Sequence, residues 1–310
     1  MKVAIVQEPP VLLDRAATMA RVVGHIEAGA QGGVQLMVFP ETYLPGYPEW
    51  LWRMRPWQDA ALANKIHARL LEGSVHIGRG DLDPVRAAAR AAGMIVVLGF
   101  HERSDYSGTT LYNGLVFIGG DGAILGRHRK LVPTNPERMV WAPGDGAGLR
   151  AVATPFGRLG GLICWENYMP LARFALYADG VEIYVAPTWD YGEAWRASMQ
   201  HIAKEGRCWV LGAGCCFQAG DVPEGFPGRE QLYPEAGEWI NDGDSLVVDP
   251  MGKIAAGPLH REKGVLVADI DVGRVAAARR TLDVAGHYGR PDVFRLEIDR
   301  RPAAPVKFND

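Results

Sequence analysis

The sequence predicts an α/β protein in which two stacked β-sheets carry helices on their outer faces. Three observations lead to this reading. Strand-like and helix-like segments alternate along most of the 310 residues. The strand candidates, such as Met94 to Phe100, are continuous apolar runs, which need cover on both faces. About ten such strands are present, which suits two stacked sheets better than one open sheet. No Ser- or Pro-rich linker divides the halves, so a single domain over residues 1–298 is expected, followed by an extended or disordered tail over 299–310.

The elements follow in order. Lys2 to Gln7 reads as a strand, and Asp14 as the cap of a helix whose apolar residues Met19, Val22, Val23 and Ile26 keep helical spacing until Gly32-Gly33. Leu36 to Phe39 is a short buried strand ending in Pro40-Glu41. Asp83-Pro84 opens a helix with Val85, Ala88, Ala89 and Ala92 on one face and Gly93 as its stop. Strands are expected over Met94 to Phe100, Leu111 to Ile118 and Ile124 to His128. In the second half, strands are expected over Arg158 to Ile163, Val181 to Ala186, Trp209 to Cys215, Ser245 to Val248 and Val265 to Ile270. Helices are expected from Pro170 to Gly180 (burying Leu171, Phe174, Ala175 and Ala178), from Glu193 to Glu205, and from Val272 to Leu282. Gly220 to Gly243, rich in Pro, Gly and acidic residues, reads as a long surface excursion.

Composition narrows the function. A content of 48% hydrophobic and 22% charged residues is ordinary for a globular protein, and the net charge of −3 with scattered signs leaves no basic footprint for nucleic acid. The first residues lack the pattern of a signal peptide, and the apolar runs are too short to cross a bilayer, so a cytoplasmic location is expected. The four cysteines form no C-x-x-C pair; Cys215 and Cys216, adjacent in a strand, read as core residues. The histidines show no paired ligand spacing, so no metal site is expected.

Three segments carry candidate chemistry. Cys164 ends the strand-like run Gly160-Gly161-Leu162-Ile163 at a sharp turn, near backbone N–H groups that would favour a thiolate and bind a developing anion. Taken alone, a free cysteine is more often a small buried apolar residue. Glu41 follows Met37-Val38-Phe39-Pro40, at the sheet's carboxyl end, where partial burial would make it a general base; a helix cap or turn acid is the alternative. Arg127-His128-Arg129-Lys130 is a basic run that would ordinarily face solvent. Leu131-Val132-Pro133 follows at once, so one of these cations could turn inward, with Glu137 able to pin it.

Together these segments resemble the nitrilase superfamily of carbon–nitrogen hydrolases. The likeness rests on Phe39-Pro40-Glu41-Thr42-Tyr43-Leu44-Pro45-Gly46-Tyr47-Pro48, on His128 through Arg138, and on Cys164-Trp165-Glu166-Asn167-Tyr168, in the family's order. It runs from Lys2 to about Phe294. The resemblance implies an α-β-β-α four-layer sandwich, paired subunits (a homodimer or higher homo-oligomer) and no cofactor. It places the family's Glu–Lys–Cys triad on Glu41, Lys130 and Cys164, and its second glutamate on Glu137. Cys164-Trp165-Glu166-Asn167 and Lys130-Leu131-Val132-Pro133-Thr134 look like the nitrilase branch, as do Trp141 to Gly146 and His287 to Phe294. Ala142 and Pro143 depart from the usual glycine-rich form. Little sequence follows Phe294, which bears on filament formation and not on chemistry.

The implied activity is hydrolysis of a small-molecule nitrile to a carboxylic acid and ammonia through a Cys164 thioimidate and thioester, with the Trp165 N–H among the supporting donors. An amidase or carbamoylase with the same triad, a cyanide-processing enzyme, or an inactive scaffold of the same fold are the alternatives. Tyr47, Thr134, Trp141, Trp165 and Trp189 each lie beside a triad segment and are the better candidate substrate contacts; the run Tyr47, Trp50, Trp52 and Trp57 suits a pocket wall or plain packing, and Trp50 and Trp57 equally a subunit contact. His128 shares a face with Lys130 if its strand continues, and His287 is expected to make a structural hydrogen bond.

Overall fold

The computed structural model describes residues 1–303 and 306. Its first sheet is built on β1 (Lys2–Val6), a run whose last four residues are all buried. β1 pairs in parallel with β2 (Leu36–Val38), which pairs in parallel with β3 (Ile95–Arg103). The antiparallel strands β4 (Leu111–Ile118) and β5 (Ile124–Arg129) follow on one side, and β13 (Val265–Asp269) closes the other.

The second sheet runs β10 (Cys216–Gln218), β11 (Trp239–Val248), β9 (Trp209–Gly214), β8 (Ile183–Thr188), β7 (Gly157–Gly161) and β6 (Val152–Thr154), with β12 (Ile254–His260) also paired to β11. In the parallel core β7-β8-β9, the strands β8 and β9 are buried along their whole length because both of their faces are covered.

The faces meet as the alternation of side chains requires. Val3, Ile5, Leu36, Val38, Val97 and Leu115 of the first sheet pack on Leu159, Ile183, Val185, Leu211 and Val247 of the second. The opposite face of the first sheet takes Val22 and Ile26 of α1 (Arg15–Gln31) and Val85 and Ala89 of α3 (Asp83–Ala92). The outer face of the second sheet takes Ala175 and Leu176 of α4 (Pro170–Ala178) and Trp195 and Met199 of α5 (Glu193–Gly206). This is the expected α-β-β-α sandwich. Truncating one large aliphatic side chain of the middle layer costs about 2–5 kcal/mol.

Helix boundaries follow their local signals. Asp14 accepts from the Ala17 N–H at 2.9 Å and starts α1, and Gly93 (φ 60°) ends α3 in the left-handed conformation that glycine tolerates.

Some elements differ from expectation. α4 is rotated by about one position: Ala172, Arg173, Ala175, Leu176 and Tyr177 are buried, while Leu171 is 65% exposed and Ala178 is exposed. The buried positions are fixed by Arg173, whose guanidinium reaches Glu205 and the Asn167 carbonyl and so turns inward despite its charge. α2 (Ala60–Gly73) is an element the sequence reading passed over; its buried face is only Ile66, Leu70 and Gly73.

The segment 220–243 is no loose excursion. Val222, Phe226, Leu232 and Tyr233 are buried with Trp50, Ile66 and Leu70, and α6 (Arg229–Leu232) sits within it. Trp50 is thereby buried against Phe226, whereas Trp57 is 89% exposed.

α7 (Gly273–Arg279) is shorter than the expected Val272 to Leu282. His287 is exposed, with its ring edge-on to Tyr288 and no hydrogen bond among the described residues, unlike the structural role expected of it. Beyond Asp299, Arg300 pairs with Asp179 and the Ala303 N–H donates to Asp145. The rest of the expected tail, 304–305 and 307–310, lies outside the described residues.

Candidate active site

The strands β2, β5, β7 and β8 present their carboxyl ends to one place, because β5 returns parallel to β2 after two antiparallel steps. Glu41 follows β2, Lys130 follows β5, Cys164 follows β7 and Trp189 follows β8. Close approach is built into the backbone: a Cβ on Gly99 of β3 would stand 2.2 Å from the Pro40 carbonyl, so only glycine lets the strand pass behind Glu41. Thr42, Asn135 and Cys164 have positive φ (42°, 46° and 52°), one beside each segment of the site. Strain of this kind in non-glycine residues gathers where side chains must be aimed.

Lys130 and its carboxylates form the centre. The Lys130 Nζ donates to Glu41 Oε1 at 2.8 Å and to Glu137 Oε2 and Oε1 at 2.8 and 3.1 Å, with all three side chains fully buried. Burial opposes the ammonium, but Glu41, Cys164 and Glu137 outweigh it, so Lys130 is raised and stays charged. Glu41 is raised chiefly by burial, against the pull of Lys130, which makes it a stronger base than an exposed carboxylate.

Glu137 is saturated by Tyr47 OH at 2.7 Å and by the Thr134 N–H at 2.6 Å. Removing one member of such a buried group would strand a charge at a cost of about 3–5 kcal/mol.

Cys164 is 5% exposed and opens a single 3-10 turn, Cys164–Tyr168. Its thiol is raised, first by burial and then by Glu41, against the pull of Lys130. Burial thus works against the thiolate that the N–H groups of the elbow were expected to favour. The thiol must lose its proton to a neighbour as it attacks, and the raised carboxylate of Glu41 is suited to take it.

The aromatic candidates divide. Tyr47 stacks on Trp189 at 4.5 Å and meets Trp141 edge-on at 5.9 Å, and Trp141 lies 5.9 Å from the Lys130 Nζ. These three rings surround the charged cluster. The Trp141 indole N–H donates to His101 Nδ1, so the His101 Nε2–H donates to the Gly46 carbonyl, and burial lowers His101 to about 4. Thr134 meets the site through its backbone N–H on Glu137. Trp165 is 47% exposed with its indole N–H on Asp190, so its ring is not part of the buried group.

Sequence reasoning missed five contributions to the site. Asn113 Nδ2 donates to Glu41 Oε1 at 2.7 Å, and the Trp189 N–H donates to Glu41 Oε2 at 2.8 Å. Asn167 Nδ2 donates to the Cys164 carbonyl at 2.8 Å, and Tyr184 OH fixes Asn167 in turn. Glu166 joins the two halves: it accepts from the Leu131 N–H at 2.6 Å, the Ile163 N–H at 2.8 Å and His128 Nε2 at 3.0 Å. His128 thus serves the Lys130 and Cys164 segments through Glu166. The one available signal was that polar residues at the ends or middles of buried strands need partners.

Away from this cluster, a groove of about 860 Å³ runs between α4 and residues 284–296, lined by Leu171, Phe174, Tyr288 and Phe294. Among the described residues no cluster of His, Cys, Asp and Glu could hold a metal ion, and no helix is long and apolar enough to cross a membrane.

The carbon-nitrogen hydrolase family model matches residues 2–280. The chain is 38% identical over 306 residues to an aliphatic nitrilase of Sinorhizobium fredii (strain HH103), covering 98% of this chain and 97% of that one. It is 37% identical to a bifunctional nitrilase/nitrile hydratase of Lupinus angustifolius, covering 99% of this chain and 88% of the other. Among solved structures, a carbon-nitrogen hydrolase from Helicobacter pylori G27 superposes with a TM-score of 0.70 at 20% identity, covering 91% of this chain and 93% of that one. A variant amidase from Nesterenkonia sp. AN1 in complex with acrylamide gives 0.68 at 20% identity, covering 91% and 95%. By sequence, fold and the order of its matching segments, the chain belongs to the carbon–nitrogen hydrolase family, on its nitrilase branch.

Proposed function

We propose that this chain hydrolyses organic nitriles to carboxylic acid and ammonia with Cys164 as nucleophile, Glu41 as general base, Lys130 as the charge-stabilising cation and Glu137 as its anchor. The observation that carries the reading is the fully buried Lys130 held between Glu41 and Glu137, coupled to the thiol of Cys164.

In the first step Glu41 takes the thiol proton while sulfur adds to the nitrile carbon, then passes it to the nitrogen, giving the thioimidate and a free carboxylate. Lys130 has three N–H bonds and two acceptors at 2.8 Å, the third contact being longer, so one N–H can turn to the nitrogen as negative charge develops. Glu41 next removes a proton from water adding to the thioimidate carbon. That proton and the hydroxyl proton of the tetrahedral adduct pass to nitrogen, so ammonia leaves, a thioester remains and Glu41 is again a carboxylate. A second water, activated in the same way, releases the acid and restores the thiol. The balance is one nitrile and two waters to one acid and one ammonia.

Tyr47, Trp141 and Trp189 are proposed to contact the substrate from the charged side, and Thr134 and Trp165 from the flanking segments. The same triad can act on a C(=O)–N bond, so an amide is the competing substrate. Ammonia release from a nitrile, measured against release from the matching amide, separates the two: turnover of the amide alone would overturn the nitrilase reading.

The reading further takes residues 1–298 as the catalytic domain of a cytoplasmic homo-oligomer. Exposed Leu171, Tyr288 and Phe294 along the α4 groove supply apolar surface for a second copy. Sedimentation as a monomer at micromolar concentration would contradict it.

A further inference from the structure

The turn that carries the nucleophile has two faces. In a 3-10 helix, residues three apart eclipse one another. Over Cys164–Tyr168 this pairs Cys164 with Asn167 and Trp165 with Tyr168. The first pair is buried, at 5% and 0% exposure, and the second is half-exposed, at 47% and 40%. Trp165 and Tyr168 therefore share the exposed face of the turn that begins at Cys164, their rings edge-on at 6.1 Å.

Both rings end on one atom. The Trp165 Nε1–H donates to Asp190 Oδ2 at 2.8 Å, and Tyr168 OH donates to the same oxygen at 2.9 Å. The other oxygen takes the Tyr191 N–H at 2.9 Å, and the Asp190 N–H donates to Thr188 Oγ1 at 2.8 Å. Asp190 also sits on a strap fixed at each step. The Trp189 N–H donates to Glu41, the Trp189 carbonyl accepts from Asn241, and the Gly192 N–H donates to Asp244. No residue of the proposed reaction uses the Asp190 carboxylate.

We infer that Asp190 is a positioning residue for substrate selection: its carboxylate locks Trp165 and Tyr168 into a fixed rim against which the arm of a long or aromatic nitrile packs. This rests on the proposed nitrile-hydrolysing reading of the site. Because Sγ is buried, a nitrile carbon bound to it lies inside and its organic arm extends outward, past this rim. Two half-exposed aromatic rings without a common acceptor would sample several rotamers, and a substrate would have to order them on binding. Held by Asp190, they are ordered in advance. Short aliphatic arms that end before the rim gain nothing from this.

The test compares wild type, Asp190→Ala and Asp190→Asn on an arylalkyl nitrile and on a short aliphatic nitrile, reading kcat and KM by ammonia release. The expected result is a KM for the arylalkyl nitrile raised roughly 5–10-fold in D190A, the scale of one to two lost hydrogen bonds. Its kcat, and both constants for the short nitrile, stay within about twofold. D190N, which keeps one acceptor oxygen, falls between. A Tyr168→Phe variant leaves Asp190 in place but removes one of the two donors, and should raise the arylalkyl KM part of the way to that of D190A; adding it to D190A should change little.

Equal loss of kcat on both nitriles would overturn the inference, because it would place Asp190 in the support of Glu41 and the thiol. Unchanged KM for the arylalkyl nitrile in D190A would overturn it too. If wild type is inert on nitriles and hydrolyses the matching amides, the nitrile reading has failed, and the same size comparison on the amides still decides the role of Asp190.

Discussion

Glu166 supplies the sharpest test of how the site is assembled. Its two oxygens hold the Leu131 N–H next to Lys130 and the Ile163 N–H next to Cys164, with His128 Nε2 between them. Glu166→Gln keeps the shape but offers one acceptor oxygen and an NH₂ group. Whichever way the amide turns, one backbone N–H then faces a donor. An orphaned buried N–H costs about 1–3 kcal/mol, and the remaining bonds lose their charge assistance. The expected loss of stability is about 2–4 kcal/mol, a fall of several degrees in Tm for a chain of this size. The consequence for chemistry is larger. The Lys130 and Cys164 segments are no longer held in register, and a misplacement on the order of 1 Å costs roughly a hundredfold in rate. Steady-state ammonia release should show kcat down about 100-fold with KM within a few-fold. An E166Q variant with lowered Tm and wild-type kcat would refute the view that this carboxylate aligns the nucleophile with the cation.

Two further outcomes follow from the buried polar groups. Asn113 Nδ2 favours the charged form of Glu41, so Asn113→Ala should move the acid limb of the kcat/KM profile upward by about one pH unit; an unmoved limb would contradict Glu41 as the titrating base. Burial lowers His101 to about 4 against an ordinary 6.5. Between these values the unfolded chain binds a proton that the folded chain does not, so this contribution to stability is lost as pH falls through that window. At pH 4.5 the loss is about 2–3 kcal/mol, and His101→Gln, read by urea unfolding at pH 7 and pH 4.5, should show a pH dependence smaller by that amount. Parallel pH dependences in the two proteins would contradict the neutral, buried His101.

What could be read from the chain and what could not divides along a physical line. Glu41, Lys130 and Cys164 each stand at the carboxyl end of an apolar strand, so a local pattern marks them. The stacked sheets were legible for the same reason, since continuous apolar strands such as β3 and β8 admit few other arrangements. Asn113 lies inside β4 and Glu166 within a polar-looking turn, and both acquire meaning only through partners 72 and 35 residues away. The face of α4 was misread because the buried Arg173 breaks the apolar pattern that periodicity relies on. Segment 220–243 looked like solvent-exposed loop by composition, yet its few aromatic residues close over Trp50. The protonation state of Cys164 was out of reach as well: the elbow announces nearby N–H groups, while the opposing desolvation depends on everything packed around it.

The central claim is that Cys164 bonds covalently to the substrate carbon. Acid-quenched intact mass of wild type turning over a nitrile, beside the ammonia-release rate of Cys164→Ala, addresses it most directly. The account predicts an acyl mass addition localised to Cys164, and in C164A no addition and less than about one part in a thousand of wild-type turnover. A C164A protein that retains more than that, or an adduct on Cys208, Cys215 or Cys216 in its place, would contradict it.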